Sequence, residues 1–224
     1  ITVAKKVDII ACDVESGEFC IVPSDIINVL ATLRDEEVTL EITEKNCMLV
    51  HSRGTAMVSV LPAIDFPSVA SGETRTSFSM DATKLRSWLD AAKSFVANDP
   101  LRPALTGMYL AIENGEVWCA SSDSHKLYMD GYKDITFEGI EASVIVPNKV
   151  FGYASSILDG YASVTVQIDD NNVSFVVSDA KISARKIVGA YPKVRQILPK
   201  QNPINVEVNT ADLAGSISRM KLFA

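Results

Sequence analysis

An internal repeat limits the folds open to this chain more than any other feature of the sequence. The first copy reads I-V-P at 21–23, a helix-like stretch, V-T-L-E-I at 38–42 and F-P at 66–67. The second copy reads I-V-P at 145–147, another helix-like stretch, V-T-V-Q-I at 164–168 and Y-P at 191–192. The offset of about 125 residues is much longer than the roughly 20–50 residues of a solenoid unit, so it indicates repeated domains.

Each copy combines a strand, a helix and further strands, which predicts an α+β fold. Apolar residues alternate in the strand segments and recur at helical spacing in the helix segments. Asp81 is a favourable N-cap for a helix that we expect to reach about Asn98. Near the end of the chain, the pattern predicts a strand at Ile204–Val208 and a helix capped by Thr210.

Composition excludes several classes of protein. Of the 224 residues, 47% are hydrophobic, which supports a sizeable core, and no apolar run is long enough to span a bilayer. The four cysteines form no C-x-x-C pair and there are only two histidines, so we expect no metal site and no cofactor, and reduced cysteines in a cytoplasmic protein. The net charge of −7 argues against tight wrapping of nucleic acid unless the basic residues are segregated on one face. Because the chain opens on Ile1 within a strand-like stretch, we expect it to be a piece of a longer protein.

The segment 105–127 contains the strongest local signals. Asn114 and Gly115 lie between two runs rich in strand-forming residues, which is typical of a tight β-hairpin. The second run leads into S-S-D-S-H at 121–125, which suggests a hydrolase that uses Ser122, Asp123 and His125. This alternative is weak, because neighbouring residues of one strand point to opposite faces and the sequence has no G-x-S-x-G elbow. A strand that runs into a polar turn is the simpler interpretation.

Four motifs in this order resemble the bacterial β sliding clamps, the processivity subunits of DNA polymerase III. They are Arg102 with L-T-G at 105–107, the hairpin followed by S-D-S-H-K-L at 122–127, I-V-P at 145–147, and Y-P-K-V-R at 191–195 leading to L-P-K at 198–200. The resemblance covers nearly the whole chain. It implies a DNA-clamp fold, in which repeated domains place antiparallel sheets on the outside of a ring and helices on the channel.

By this resemblance, residues 1–74 are the later part of a first clamp domain, 75–201 a complete middle domain, and 202–224 the start of a third. The implied function is that of a non-catalytic subunit of a DNA polymerase holoenzyme. Two copies would form a homodimeric ring around double-stranded DNA, and no membrane is involved. The implied protein partners are the replicative polymerase subunit, the clamp loader and other proteins that carry a clamp-binding motif. A scaffold protein that does not bind DNA is the alternative from another class.

The resemblance also implies two sets of site residues. The middle-domain wall of a peptide-binding cleft would consist of Leu105, Ser122, Ser124, His125, Lys126, Leu127, Pro192 and Ile197. Ser124 stands where the family often has Gly, and Lys126 where it often has Arg. The DNA-facing residues would be Lys93, Arg102 and Lys149, of which Lys149 matches one member of a basic pair whose other place holds Asn148.

Overall fold

The structure, a computed structural model, describes residues 1–5, 18–33, 37–66, 72–133, 135–199 and 201–223. The strands are β1 (Thr2–Lys5), β2 (Phe19–Ile21), β3 (Thr39–Ile42), β4 (Asn46–His51), β5 (Gly54–Pro62), β6 (Thr76–Asp81), β7 (Gly107–Glu113), β8 (Glu116–Ser122), β9 (Leu127–Tyr132), β10 (Phe137–Gly139), β11 (Ala142–Pro147), β12 (Ser163–Ile168), β13 (Asn172–Val176) and β14 (Ala180–Arg185). The helices are α1 (Pro23–Leu30), α2 (Ala82–Ala92), α3 (Asn148–Ile157), α4 (Val194–Ile197) and α5 (Thr210–Met220). Short 3-10 turns occur at Ala63–Asp65 and Pro103–Thr106.

The described strands form three antiparallel sheets, and the predicted α+β class is confirmed. Six strands follow the order β1-β14-β13-β12-β6-β10, and two sheets of four strands follow the orders β11-β7-β8-β9 and β2-β5-β4-β3. The predicted hairpin joins β7 to β8, with Asn114 at φ 52° and Gly115 at φ 71° in its turn. Both residues therefore adopt the left-handed conformation that an Asn-Gly turn requires.

The repeat seen in the sequence returns in the element order. In both copies a strand leads into a helix and then into three antiparallel strands, which are β2-α1-β3-β4-β5 in the first copy and β11-α3-β12-β13-β14 in the second. The register agrees as well, since Ile42 pairs with Cys47 and Ile168 pairs with Val173, each partner lying 126 residues later in the second copy. The helix and the three antiparallel strands after it therefore recur in both copies, while β2 pairs with β5 of its own copy and β11 pairs with β7.

The main core lies between the six-stranded sheet, the β11-β7-β8-β9 sheet and the helices α2 and α3. Its largest fully buried side chains include Trp88, Phe151 and Phe175. A second, smaller cluster of Cys47, Leu49 and Val58 packs beneath α1. No helix in the described ranges is long and apolar enough to cross a membrane. Within those ranges, the His, Cys, Asp and Glu side chains form no group that could hold a metal ion.

Helix α2 begins where the sequence predicts but ends earlier. The Asp81 carboxylate accepts a hydrogen bond of 2.7 Å from the Lys84 backbone N–H, which is the expected N-cap. The predicted end at Asn98 is wrong, because the helix stops at Ala92 and the chain continues in i→i+3 turns. Ala97 then donates its N–H to the Leu105 carbonyl at 2.8 Å, which draws the chain into the Pro103–Thr106 turn.

The prediction for the segment before α5 is also corrected. Residues 204–208 form no strand, and they have no pairing partner among the described strands. A strand needs a neighbour for its backbone groups, and alternating apolar residues alone do not supply one. The helix cap is Asn209 rather than Thr210, since the Asn209 side chain accepts hydrogen bonds from Ala211 N and Asp212 N at 2.9 and 3.2 Å.

The N-terminal strand β1 lies in the same sheet as strands of the second copy. It pairs with β14 over four residues, from Thr2 opposite Ser183 to Lys5 opposite Ala180. The sequence pattern predicts a strand over residues 1–12 and a polar linker over 68–75, of which residues 6–12 and 68–71 lie outside the described residues.

Candidate peptide-binding surface

A tight turn between β8 and β9 gathers five of the eight predicted cleft residues. The Asp123 carboxylate accepts the backbone N–H groups of His125 and Lys126 at 2.9 and 2.8 Å. The Ser122 hydroxyl accepts the Ser124 N–H at 3.1 Å and donates to the Lys126 carbonyl at 2.7 Å. The two backbone bonds, that of Lys126 first, lower the pKa of Asp123 to about 2, so the carboxylate is charged at neutral pH. Both side chains are therefore committed to holding the turn.

These bonds leave no catalytic arrangement for the hydrolase alternative. A triad requires the base to contact the nucleophile and the acid to orient the base. Here the Ser122 hydroxyl points to a backbone carbonyl and Asp123 Oδ1 to two backbone amides. Among the described residues, no hydrogen bond joins the exposed His125 ring to Ser122, Asp123 or Ser124. The geometry argues against acyl-transfer chemistry at this turn.

Ser124 occupies the tip of the turn in an unusual backbone conformation. Its φ of 80° lies in the left-handed region that favours glycine. Its hydroxyl accepts a hydrogen bond of 2.7 Å from Arg102 Nη1, and Arg102 Nε bonds Asp99 Oδ2 at 2.9 Å. Arg102, predicted to face DNA from beside a helix, therefore has its guanidinium bound to the turn of the candidate cleft.

Lys126 ties the same turn to the end of helix α2. Its ammonium donates to the Ser94 carbonyl at 2.9 Å and lies 3.3 Å from Asp123 Oδ2. It also sits 5.7 Å from the centre of the Phe95 ring, within the range of a cation–π contact. These three contacts support the turn from one side.

Leu127 belongs to an apolar cluster on the face of the β11-β7-β8-β9 sheet that is turned away from the main core. Buried Ala111, Trp118, Ala120 and Val194 form the cluster, and Tyr109, Leu127, Met129 and Tyr191 pack around them. Tyr109 contacts both Trp118 and Tyr191 with ring centres 5.0 Å apart. Burial raises the pKa of the Tyr191 hydroxyl to about 12. The cluster joins Leu127 to the segment that carries Pro192.

Arg195 locks the short helix α4 onto this sheet. Its guanidinium lies 4.2 Å from the centre of the Trp118 ring and makes ion pairs of 3.1 and 2.9 Å with Glu113 and Glu116. Trp118 Nε1 donates to the same Glu113 carboxylate at 2.8 Å. Within α4, Val194 is buried at 2% exposure, whereas Ile197 is 70% exposed. Pro192, on the same segment, is exposed too.

The predicted cleft residues thus differ in their solvent exposure. Leu105 is 7% exposed in the Pro103–Thr106 turn, where its N–H bonds the Arg102 carbonyl, so it supports the wall more than it lines it. Ser122 and Leu127 are half-buried, and the remaining five are exposed. Sequence reasoning missed Tyr109, Trp118, Tyr191, Val194 and Arg195, which hold the two halves of the wall together. Two signals were available: the Y-P-K-V-R motif contains three of these residues, and both faces of β8 are apolar, which implies a second packing layer.

The predicted DNA-facing lysines lie on or beside helices α2 and α3, which pack against each other and form one layer. Lys93 directly follows α2, and its ammonium pairs with Asp90 at 2.6 Å. Lys149 is the second residue of α3, exposed, and makes no ion pair with any described residue. The two lysines share one layer, while Arg102 belongs to the turn of the candidate cleft.

Comparison with known proteins gives a consistent family. A family model described as DNA polymerase III beta subunit, central domain, matches residues 79–193, just over half of the chain. The beta sliding clamp of Proteus mirabilis is 27% identical over 179 residues, which cover 79% of this chain and 48% of the relative. That of Escherichia coli K12 is 25% identical over 189 residues, which cover 84% and 51%. The chain spans about half the length of the curated relatives it matches.

Solved structures show the same fold. The DNA polymerase sliding clamp of Bacillus subtilis superposes with a TM-score of 0.85 at 22% identity, covering 93% of this chain and 55% of that one. The Helicobacter pylori beta clamp, solved with a DNA ligase peptide bound, gives a TM-score of 0.81 at 15% identity, covering 89% and 56%. The clamp fold expected from the sequence is thereby confirmed.

Proposed function

The chain belongs to the DNA polymerase III β-subunit family, and on that basis we propose that it works as part of a ring-shaped sliding clamp, a processivity factor for DNA replication. In this role two subunits encircle duplex DNA and tether the replicative polymerase. The clamp loader and other proteins with clamp-binding motifs are its further partners. The proposed domain division is 1–74, 75–201 and 202–224.

The proposed mechanism is topological and involves no bond chemistry. A closed ring cannot leave duplex DNA sideways, so a tethered enzyme stays at high effective concentration near its template. The ring itself needs only weak, sequence-independent attraction to phosphate, because tight contacts would oppose movement along the duplex. The net charge of −7 is compatible with this role when basic residues such as Lys149 lie on the DNA side.

The arrangement of Leu127, Pro192 and Ile197 is the observation that carries the partner-binding proposal. An apolar cluster joins Leu127 at the β8–β9 turn to Tyr191 and Val194, and the segment that holds these two residues also carries the exposed Pro192 and Ile197. The exposed Ser124 and His125 belong to the same β8–β9 turn as Leu127 and supply a hydroxyl and an imidazole group. Apolar surface with a few orienting polar groups is the usual composition of a ligand cleft. A short peptide with Leu and Phe anchors is the proposed ligand.

The test is the binding of such a fluorescent peptide to this chain. Leu127→Ala and Pro192→Ala each remove apolar contact area, and we expect each to weaken binding by about 1–3 kcal/mol, or roughly tenfold to a hundredfold. Ile140→Ala is the matched control, because Ile140 is also an exposed aliphatic residue but follows β10, away from the cluster. Thermal unfolding of each variant checks that the fold is intact. Unchanged affinity in both cleft variants would place the partner site elsewhere.

A further inference from the structure

Helices α2 and α3 form a layer with one buried and one open side. Leu85, Trp88 and Leu89 of α2 and Val150 and Phe151 of α3 all point into the core. Four basic residues lie outside that core on or beside the two helices: Lys84, Arg86, Lys93 and Lys149. If this layer faces DNA, as the proposed function requires, these cations are the groups available to phosphate.

Two carboxylates of the same layer engage two of these cations. Asp90 accepts the Lys93 ammonium at 2.6 Å and lies 3.9 Å from Arg86 Nε. Asp159, two residues beyond the end of α3, binds the other side of the Arg86 guanidinium directly. Ser155 of α3 donates its hydroxyl to Asp90 at 2.9 Å, which fixes the carboxylate between the two helices. Arg86 and Lys93 are therefore both occupied within the layer.

The other two cations differ from this pair. Lys84 turns to Asp130 of β9, at 2.8 Å, and lies beside the Trp88 ring. Lys149 is the one cation of the layer that makes no ion pair among the described residues. We propose that Asp90 and Asp159 limit the DNA affinity of the helix layer by holding Lys93 and Arg86 in internal ion pairs, so that Lys149 is left as its main phosphate contact.

The proposal rests on the proposed clamp function and on simple electrostatics. A cation that already faces a carboxylate at contact distance must exchange one anion for another when phosphate approaches, and releases fewer counterions from DNA. The hydrogen bond from Lys93 leads the groups that lower the pKa of Asp90, so this carboxylate stays charged at neutral pH. Exposed ion pairs add little to stability, so removing one carboxylate should leave the fold intact and change mainly the charge available to phosphate.

The experiment compares charge-neutral variants of this chain with wild type. Asp90→Asn keeps the shape and an acceptor for Ser155, frees Lys93, and leaves Arg86 paired with Asp159 alone. Asp159→Asn removes the direct partner of Arg86 and leaves only Asp90, at 3.9 Å, beside it. Asp170→Asn is the control, because it changes the net charge equally but releases Arg75, its partner at 2.6 Å, at the opposite end of β6 from α2.

Binding to a fluorescent duplex of about 20 base pairs is measured by anisotropy between about 50 and 200 mM salt. Each added phosphate contact should steepen the logarithmic salt slope by about 0.9, or about 3.5-fold in affinity over this range. We expect Asp90→Asn to bind several-fold tighter than wild type at low salt with a steeper slope, and Asp159→Asn to show a smaller gain. Asp170→Asn should stay near wild type.

Two results would overturn the inference. If all proteins bind DNA and Asp90→Asn matches Asp170→Asn, the masking idea fails and the clamp function stands. If no protein binds, Asp90→Asn included, the masking idea fails, because the freed Lys93 then adds no phosphate contact; the clamp function, which needs only weak attraction to DNA, is tested separately by the peptide-binding experiment. Circular dichroism of each variant verifies that the helices are retained.

Discussion

Substitutions at Ser124 can measure the free-energy cost of the strained backbone in the turn of the candidate cleft. With φ at 80°, a side chain at this position is strained by about 1–2 kcal/mol relative to glycine. Its hydroxyl also accepts the bond from Arg102, so glycine removes a contact together with the strain. Comparing Ser124→Gly with Ser124→Ala separates these effects, because both variants lose the hydroxyl and only alanine keeps the strain. Glycine adds back about 0.4–1 kcal/mol of unfolded-state freedom, so Ser124→Gly should be about 1 kcal/mol more stable than Ser124→Ala.

The assay is urea denaturation of both variants, with the same pair made at Ser87. Ser87 is an exposed serine in the interior of α2, whose hydroxyl bonds the Lys84 carbonyl at 2.7 Å. In a helix interior glycine is about 1 kcal/mol less favourable than alanine. The order of the two variants should therefore reverse between the two positions, with a combined difference of about 2 kcal/mol.

The reversal is the decisive result. If Ser124→Ala proves equal to or more stable than Ser124→Gly while the Ser87 pair behaves as expected, the turn is not strained in the way its φ indicates. The same two Ser124 variants also report on the cleft. Peptide affinity that falls equally in both would assign the effect to the lost Arg102 contact rather than to backbone strain.

Two further predictions concern the groups that hold the wall together. The folded-state pKa of Asp123 lies below its ordinary value, so this carboxylate contributes stability that is complete above about pH 4 and is lost as pH falls towards about 2. The stability difference between wild type and Asp123→Asn, followed by urea unfolding, should be constant from pH 5 to 7 and shrink below about pH 4; a difference that is flat down to about pH 2 would refute this. Arg195→Ala removes a cation–π contact and two exposed ion pairs, and should lower stability by about 1–2 kcal/mol, with Arg195→Lys retaining part of it. An Arg195→Lys variant as unstable as Arg195→Ala would show that charge is irrelevant at this position.

The sequence was most informative where local chemistry decides the structure. The Asn114-Gly115 turn requires positive φ at both residues, and the Asp81 cap supplies an acceptor for a helix N-terminus, so both could be placed without knowing the fold. The repeat predicted two copies of one unit because the same order of strand, helix and strands recurs. Where a strand depends on a distant partner, as at residues 204–208, alternation in the sequence was not enough.

The candidate site shows the same limit more sharply. The turn at 122–127 is local, and five site residues follow from the motif alone. The contacts that support the site are not local. Arg102 binds Ser124 of the turn from 22 residues away, and Arg195 binds Glu113 from 82 residues away. Such contacts depend on the final packing of separate elements, and charged residues at these positions look like ordinary surface charges in the sequence. The resemblance predicts the wall of a cleft, while the contacts that hold these segments together could be read only from the structure.

The two copies of the repeat also help to separate fold from function. The second copy reads Y-P-K-V-R at 191–195 where the first reads F-P-S-V-A at 66–70. The aromatic, proline and valine positions are shared, which fits a role in the common unit. Arginine is not shared, because Ala70 stands where Arg195 stands in the second copy. In the second copy that arginine holds α4 against Trp118, Glu113 and Glu116, and the same segment carries the exposed Pro192 and Ile197. A domain repeat accounts for the shared architecture, and a departure between its copies falls at the segment that carries part of the proposed partner-binding surface.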